Sequence, residues 1–138
     1  MTDLKKRIED SFILQGLMET FGARLLSVKD GEVQIELPYA KSLTQQQGFL
    51  HAGAVTSIAD SACGYAALTK APEGCDIVSA EFKINMLRPA IGEKFIATGT
   101  VENAGRNLTV CRGEVVAISG ETRKLVALMQ ATMVNVRV

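Results

Sequence analysis

The stretch Gly48 to Lys70, GFLHAGAVTSIADSACGYAALTK, constrains this chain more than any other. It holds the only histidine, His51, and from His51 to Thr69 a single charged side chain, Asp60. The other positions are mostly small or apolar, among them Ala52, Gly53, Val55, Ile58, Ala62, Cys63 and Leu68. A run of that length and alanine content predicts a helix rather than a strand. Its apolar character continues almost all round, which predicts a buried helix. A lone carboxylate on a buried helix costs free energy unless something pairs or uses it, so Asp60 is the first candidate for a site.

The segments on either side say what the helix is buried in. Leu4, Ile8 and Phe12, at spacing four, predict an amphipathic helix ending near Gly16, with Thr2 or Asp3 as its cap. A short turn follows over Leu17 to Thr20, then a first strand over Phe21 to Val28. Asp30-Gly31 is a hairpin signal. Val33, Ile35 and Leu37 alternate with Glu32, Gln34 and Glu36, a half-buried strand closed by Pro38. Tyr39 to Gly48 is a polar loop, and Pro72-Glu73-Gly74 breaks the long helix. Beyond it, Ile77 to Leu87 places Phe82, Ile84 and Met86 on one face and Glu81, Lys83 and Asn85 on the other. Lys94 to Val101 is a further strand, Asn103 to Asn107 a turn. Leu108 to Ile118 and Leu125 to Val136 form a last hairpin around Ser119-Gly120. Two strands, one long helix and four more strands predict an α+β fold with an antiparallel sheet. A single sheet can bury an all-round apolar helix only by curling around it. Residues 1–138 carry no repeat, linker or low-complexity segment and are expected to form one domain.

Charge and cysteine usage exclude several classes. Lys+Arg and Asp+Glu both number 15, so bulk charge points to no nucleic-acid or anionic-membrane partner. The opening TDLKKRIEDS is too charged for a secretion signal. Cys63, Cys75 and Cys111 show no paired spacing and read as reduced thiols of a cytoplasmic protein, with neither disulfide nor metal expected.

The pattern G-x-L-H-x-G followed by I-A-D-S-A resembles that of the hotdog-fold acyl-CoA thioesterases of the PaaI-like (phenylacetate-pathway) family. The resemblance runs from the loop before the helix through Pro89, and the strand order fits to the C-terminus. The family's commonest form is His-Gly-Gly, then an acid eight residues after the first Gly. Here Ala52 replaces that Gly, and Asp60 keeps the register. The family's amide six residues before the His, usually Asn, corresponds to Gln45, and its Ser ten residues before the strand-ending Pro corresponds to Ser79 before Pro89. The resemblance implies a hotdog fold, a curved antiparallel sheet wrapped around one long helix. It also implies hydrolysis of acyl-CoA or aryl-CoA thioesters without a cofactor.

The chemistry can be argued from the residues alone. A thioester carbonyl needs a donor for its developing oxyanion, and a base or nucleophile for attack. The first turn of a helix offers unpaired N–H groups and the positive end of a dipole, so Ala52 or Gly53 can be that donor. Asp60 would be the general base for water, or a nucleophile forming a transient anhydride. Gln45 could hold the carbonyl or the water, and Ser79 the water against Asp60. Eight helical residues rise about 12 Å, so one thioester cannot touch Ala52 and Asp60 of the same helix. If both act, they come from different chains. That demands a homodimer with shared sites, and the resemblance implies the same: Gln45, His51 and Ala52 from one chain, Asp60 and Ser79 from the other. Dimers pairing into a homotetramer are the further expectation.

Each residue also has a plainer reading. His51 can simply tie the loop to backbone, Asp60 can be a structural acid paired with a Lys or Arg, and Gln45 and Ser79 can be ordinary polar positions. Arg106, Arg88 and Arg112 suit the phosphates of coenzyme A, Arg106 first, or are solvated surface charges. Two other functions compete: a hotdog hydratase or dehydratase, and a non-catalytic acyl-CoA-binding module. The first pairs a His with an acid in one site, whereas His51 lies nine residues before Asp60 and on the opposite side of the helix.

Overall fold

The computed structural model describes residues 2–138. The elements are α1 (Thr2–Phe12), α2 (Gly16–Phe21), β1 (Arg24–Lys29), β2 (Glu32–Pro38), α3 (Ala52–Leu68), β3 (Cys75–Met86), β4 (Lys94–Ala104), β5 (Leu108–Ser119) and β6 (Thr122–Arg137). A single 3-10 turn, Lys41–Leu43, lies in the loop before α3. The opening helix ends four residues before Gly16, which instead begins α2. Thr2 and Asp3 lie inside α1, so its capping position falls outside the described residues. Gly22, at φ +74°, closes α2, and β1 therefore starts only at Arg24 rather than at Phe21.

All six strands form one antiparallel sheet in the order β1-β2-β4-β5-β6-β3. The sheet curls around α3, which packs against β2, β3, β4, β5 and β6. Ile58, Val55, Ile35, Leu37, Phe95, Val115 and Met133 are fully or almost fully buried between helix and sheet. This is the hotdog arrangement the sequence led us to expect.

The small residues of α3 have a packing reason. Gly99 on β4 pairs with Gly113 on β5. A Cβ built on Gly99 would lie 2.4 Å from the Ala62 carbonyl and 2.5 Å from the Cys63 nitrogen. The helix backbone thus rests directly on the sheet backbone, and only Ala59, Ala62 and Cys63 fit at the contact.

The helix is not buried all round, contrary to the expectation from its composition. Gly53 is exposed, and Ser57, Asp60, Ser61 and Gly64 are half-buried along one stripe. These residues are small or short and polar, so the stripe hardly registers as a hydrophilic face. It is the side of α3 that the sheet does not cover.

Candidate active site

The N-terminal end of α3 is shaped by the loop before it. Thr44 and Leu50 form an isolated antiparallel bridge, and the Gln45 N–H donates to the Phe49 carbonyl at 2.9 Å. Inside this excursion the Gln45 side-chain oxygen accepts the Gln47 N–H at 2.5 Å and the Phe49 N–H at 3.3 Å. Its amide nitrogen donates to the Gln47 side-chain oxygen at 3.0 Å. Gln45 is therefore first the organiser of its own turn, with one N–H proton still available. Gly48, at φ +85°, gives the left-handed step that closes it.

His51 is the N-cap of α3. Its Nδ1 accepts the Gly53 N–H at 2.7 Å, which leaves the proton of the neutral ring on Nε2. The plainer reading of His51, a tie to backbone, is thus what the structure shows. It has a consequence for the oxyanion donor. Gly53 N–H is engaged by the imidazole, whereas no partner is recorded for Ala52 N–H among the described residues. A Cβ at Gly53 would meet His51 Nδ1 at 3.0 Å, so the second position of the pattern needs glycine more than the first does. Gln45 and Ala52 line a common cleft of about 330 Å3 with Met86, Leu87 and Arg88, at the C-terminal end of β3.

Asp60 lies two turns further along α3. Its Oδ1 accepts the Ser79 hydroxyl at 2.7 Å, and Met133 Sδ is 3.4 Å from the same hydroxyl. No Lys or Arg pairs with Asp60 among the described residues, so the structural ion pair weighed for it is not made. Asp60 and Ser79 line a second cavity of about 450 Å3, between α1, α3 and the start of β3. The structure therefore joins Gln45 to Ala52 and Asp60 to Ser79, but it keeps the two pairs in separate cavities of one chain.

The three arginines part company. Arg88 borders the Gln45 cleft and donates to the Leu125 carbonyl at 2.7 Å. Arg106 stands in the turn between β4 and β5, where its carbonyl accepts the Asn135 side-chain amide. Arg112 is on the outer face of the sheet and pairs with Glu102 at 3.1 Å. No cluster of three or more His, Cys, Asp or Glu that could hold a metal occurs among the described residues. Burial pushes the Cys63 thiol up, with smaller contributions from Cys111 and Asp60. Burial, and secondarily Glu102, pushes Cys111 up to about 12. Both stay protonated at neutral pH and make poor nucleophiles. The residues that sequence reasoning missed are Gln15, Ser61, Gly64 and Tyr65, which line the Asp60 cavity. For Ser61 and Gly64 the signal was the uncovered stripe, hidden by the low polarity of its members, and Gln15 and Tyr65 carried none.

The thioesterase superfamily profile matches residues 47–124, which take in the end of the loop before α3, the whole helix and β3 to β5. The chain belongs to the thioesterase superfamily. A solved structure of a thioesterase family protein from Silicibacter pomeroyi is 40% identical, covers 98% of this chain and 99% of that one, and superposes with a TM-score of 0.95. The 1,4-dihydroxy-2-naphthoyl-CoA hydrolase of Listeria monocytogenes is 29% identical over 86% of this chain and 94% of its own. E. coli PaaI, from the phenylacetic acid degradation operon, shares the fold at a TM-score of 0.86 and 21% identity, over 96% of this thioesterase and 93% of PaaI. The chain is thus a hotdog thioester hydrolase. No helix of this thioesterase, among the described residues, is long and apolar enough to cross a membrane.

Proposed function

We propose that the protein hydrolyses acyl-CoA or aryl-CoA thioesters to the free acid and CoA, at two equivalent sites shared across a homodimer. Each site takes Gln45 and Ala52 from one chain and Asp60 and Ser79 from the other. The observation that carries this reading is the separation of the two half-sites along β3. Met86, at one end of the strand, borders the cleft of Gln45 and Ala52, and Ser79, near the other, holds Asp60. β3 is an edge strand of 12 residues whose strand partner in the sheet is β6, and most of it is exposed. On the face towards α3, Phe82 and Met86 remain 41% and 40% exposed. Such an edge invites pairing with another strand. A second β3 running antiparallel about a two-fold axis would satisfy it, cover Phe82 and Met86, and bring each Met86 end over the opposite Ser79 end.

In that arrangement Ala52 N–H, aided by the positive end of the α3 dipole, receives the oxyanion. Asp60 acts from the other side. As general base it takes a proton from water as the oxygen attacks the carbonyl; as nucleophile it forms a mixed anhydride that water then opens. In either route the C–S bond breaks and the CoA sulfur leaves with a proton. Ser79 orients Asp60, the free N–H of Gln45 is available to the carbonyl or the water, and His51 holds the first turn of α3 in place. With His51 Nδ1 occupied by Gly53, the His–acid pair a hydratase or dehydratase uses is not assembled. A CoA substrate fits the naphthoyl-CoA relative, and Arg88 and Arg106 fit its phosphates better than Arg112, which is already paired. Residues 1–138 act here as one domain, and pairing of dimers into a tetramer is compatible with this site.

Subunit exchange tests the reading. Asp60→Asn alone should cut kcat about a hundredfold or more. Mixing inactive Asp60→Asn and Gln45→Ala chains gives heterodimers in which one site carries both lesions and the other carries neither. Activity should return in part as exchange proceeds. No recovery after exchange is demonstrated by mass spectrometry would sink the shared site, and near-normal turnover of Asp60→Asn would sink the role of the acid.

A further inference from the structure

The hairpin that joins β4 to β5 turns at Gly105, Arg106 and Asn107. The commonest two- and three-residue hairpin loops use a residue of positive φ to match the twist of their strands. None of these residues takes one. The base of the turn is tight: a Cβ on Gly105 would stand 2.6 Å from the Leu108 carbonyl oxygen. The Gly105 N–H donates to that carbonyl at 2.8 Å. The tip beyond it is held from outside the turn, and by one residue.

Asn135 stands on β6 just past the end of the ladder with β5, whose end pair is Leu108 with Val134. Its main-chain N–H donates to the Asn107 carbonyl at 2.9 Å. Its side-chain nitrogen donates to the Arg106 carbonyl at 3.0 Å. Both carbonyls of the tip thus rest on Asn135. On its other side Asn135 pairs with Ile77 of β3, which lines the cavity of Asp60. The Arg106 turn is therefore tied to the half of the sheet that carries the acid. Arg106 itself is exposed, and its guanidinium pairs with no carboxylate among the described residues.

This anchor is not built for stability. The Asn135 side-chain oxygen is buried and has no hydrogen-bond partner among the described residues. An unpaired buried acceptor costs free energy that an apolar side chain of the same size would not. The Arg106 carbonyl lies in an exposed turn, where water can take the place of the amide. Asn135 thus weakens the fold slightly and in return fixes where Arg106 stands.

We infer that Asn135 is a positioning residue: by fixing the backbone of Arg106 it presents that cation, in one place, to the phosphates of the CoA nucleotide. The inference rests on the proposed contact between Arg106 and those phosphates. A cation on a loose turn must be ordered when substrate binds, and that entropy is subtracted from the affinity. Asn135 removes the loss in advance without touching substrate.

Kinetics of benzoyl-CoA and of benzoyl-N-acetylcysteamine, which lacks the nucleotide, test this in Asn135→Leu and Asn135→Ala. Both variants should raise KM for the CoA ester about fivefold, the upper end for an exposed ion pair, with kcat nearly unchanged. Neither should change KM for the truncated ester. Arg106→Ala should raise KM by a similar factor, and adding Asn135→Leu to it should raise it no further. The Tm of Asn135→Leu should equal or exceed that of the wild type, because the unpaired acceptor is gone. Titration of CoA alone, followed by calorimetry, should show the same loss of affinity without turnover. Unchanged KM and CoA affinity in both Asn135 variants, while Arg106→Ala weakens them, would overturn the inference and leave the phosphate contact standing. No effect of Arg106→Ala would remove the phosphate contact and the inference together. A lower Tm with equal losses on both thioesters, or full additivity with Arg106→Ala, would make Asn135 purely structural and overturn it as well.

Discussion

Gly99→Ala tests how α3, and with it Asp60, is held in the sheet. The added Cβ would stand 2.4 Å from the Ala62 carbonyl carbon and oxygen and 2.5 Å from the Cys63 nitrogen. Non-bonded carbon contacts settle at about 3.5–4.0 Å, so helix and strand must separate by roughly 1 Å. A gap of that size forfeits about a quarter to a half of each dispersion contact along the seam. Overpacking substitutions cost about 1–3 kcal/mol when side chains can yield. Here the obstacle is backbone, which puts Gly99→Ala at the upper end, about 3 kcal/mol. At this chain length that is roughly 10–15 °C in Tm.

Gly113 is the control. A Cβ there meets Cys63 Sγ at 3.0 Å and Met129 Cβ at 3.3 Å, both side-chain atoms. Gly113→Ala should cost about 1 kcal/mol, and Cys63→Ala should recover part of it, whereas Cys63→Ala should do nothing for Gly99→Ala. Urea unfolding at one fixed protein concentration, which holds any dimer term constant, reads the wild type, the three single variants and the two double variants. Gly99→Ala within about 0.5 kcal/mol of the wild type, or rescued by Cys63→Ala, would refute backbone-on-backbone seating. Asp60 is two residues from the contact, so the same variant should lose more activity than its folded fraction explains.

The remaining predictions concern the entrance and the cap. Arg88→Ala and Arg106→Ala should raise KM for CoA esters with a smaller change in kcat, because phosphate contacts bind ground and transition states alike. Both effects should shrink at high salt and vanish for a short thioester lacking the nucleotide, and an equal effect on the short thioester would assign that arginine a structural role. His51→Ala removes the N-cap of α3 and should cost about 1 kcal/mol. Gly53→Ala pushes the imidazole off the cap and should cost a similar amount, with the double variant little worse than either. Full additivity in thermal unfolding would show that the two residues do not share one hydrogen bond.

The fold was legible because its strongest signals are local. Asp30-Gly31 turns between β1 and β2, the alternation from Glu32 to Leu37 is a strand that buries Val33, Ile35 and Leu37, and also Glu36, and the run from Ala52 to Leu68 is a helix. What stayed hidden depends on partners distant in sequence. The seat of α3 is two glycines on neighbouring strands, Gly99 and Gly113, and nothing near either one says that a helix will touch it. Apart from Asp60, the open stripe of α3 is made of Gly53, Ser57, Ser61 and Gly64, too small and too weakly polar to break an apolar pattern. Gln15 belongs to the turn between α1 and α2, 46 positions before the Ser61 it bonds, and no spacing rule connects them.

Ser79 shows where periodicity itself misleads. Glu81, Lys83 and Asn85 point away from α3, and strict alternation carried back along β3 would send Ser79 outward with them. The register of β3 on β6 slips between Ser79 and Glu81: Ser79 pairs with Met133, and Glu81 with Thr132. The unpaired residue is Ala80, so the strand gains a bulge there. Met133 is fully buried on the helix side, and Ser79, opposite it, is turned inward to meet Asp60 at 2.7 Å. The bulge lies on an open edge, beside the one carboxylate of α3, in the half of β3 that a second copy would face. One extra residue therefore does two things at once. It converts a polar outer-face position into a hydrogen-bond donor for the acid, and it adds a local twist to the edge at which the other half of the site would arrive. A pattern of period two carries no trace of either, because a bulge is visible only as a mismatch between strands.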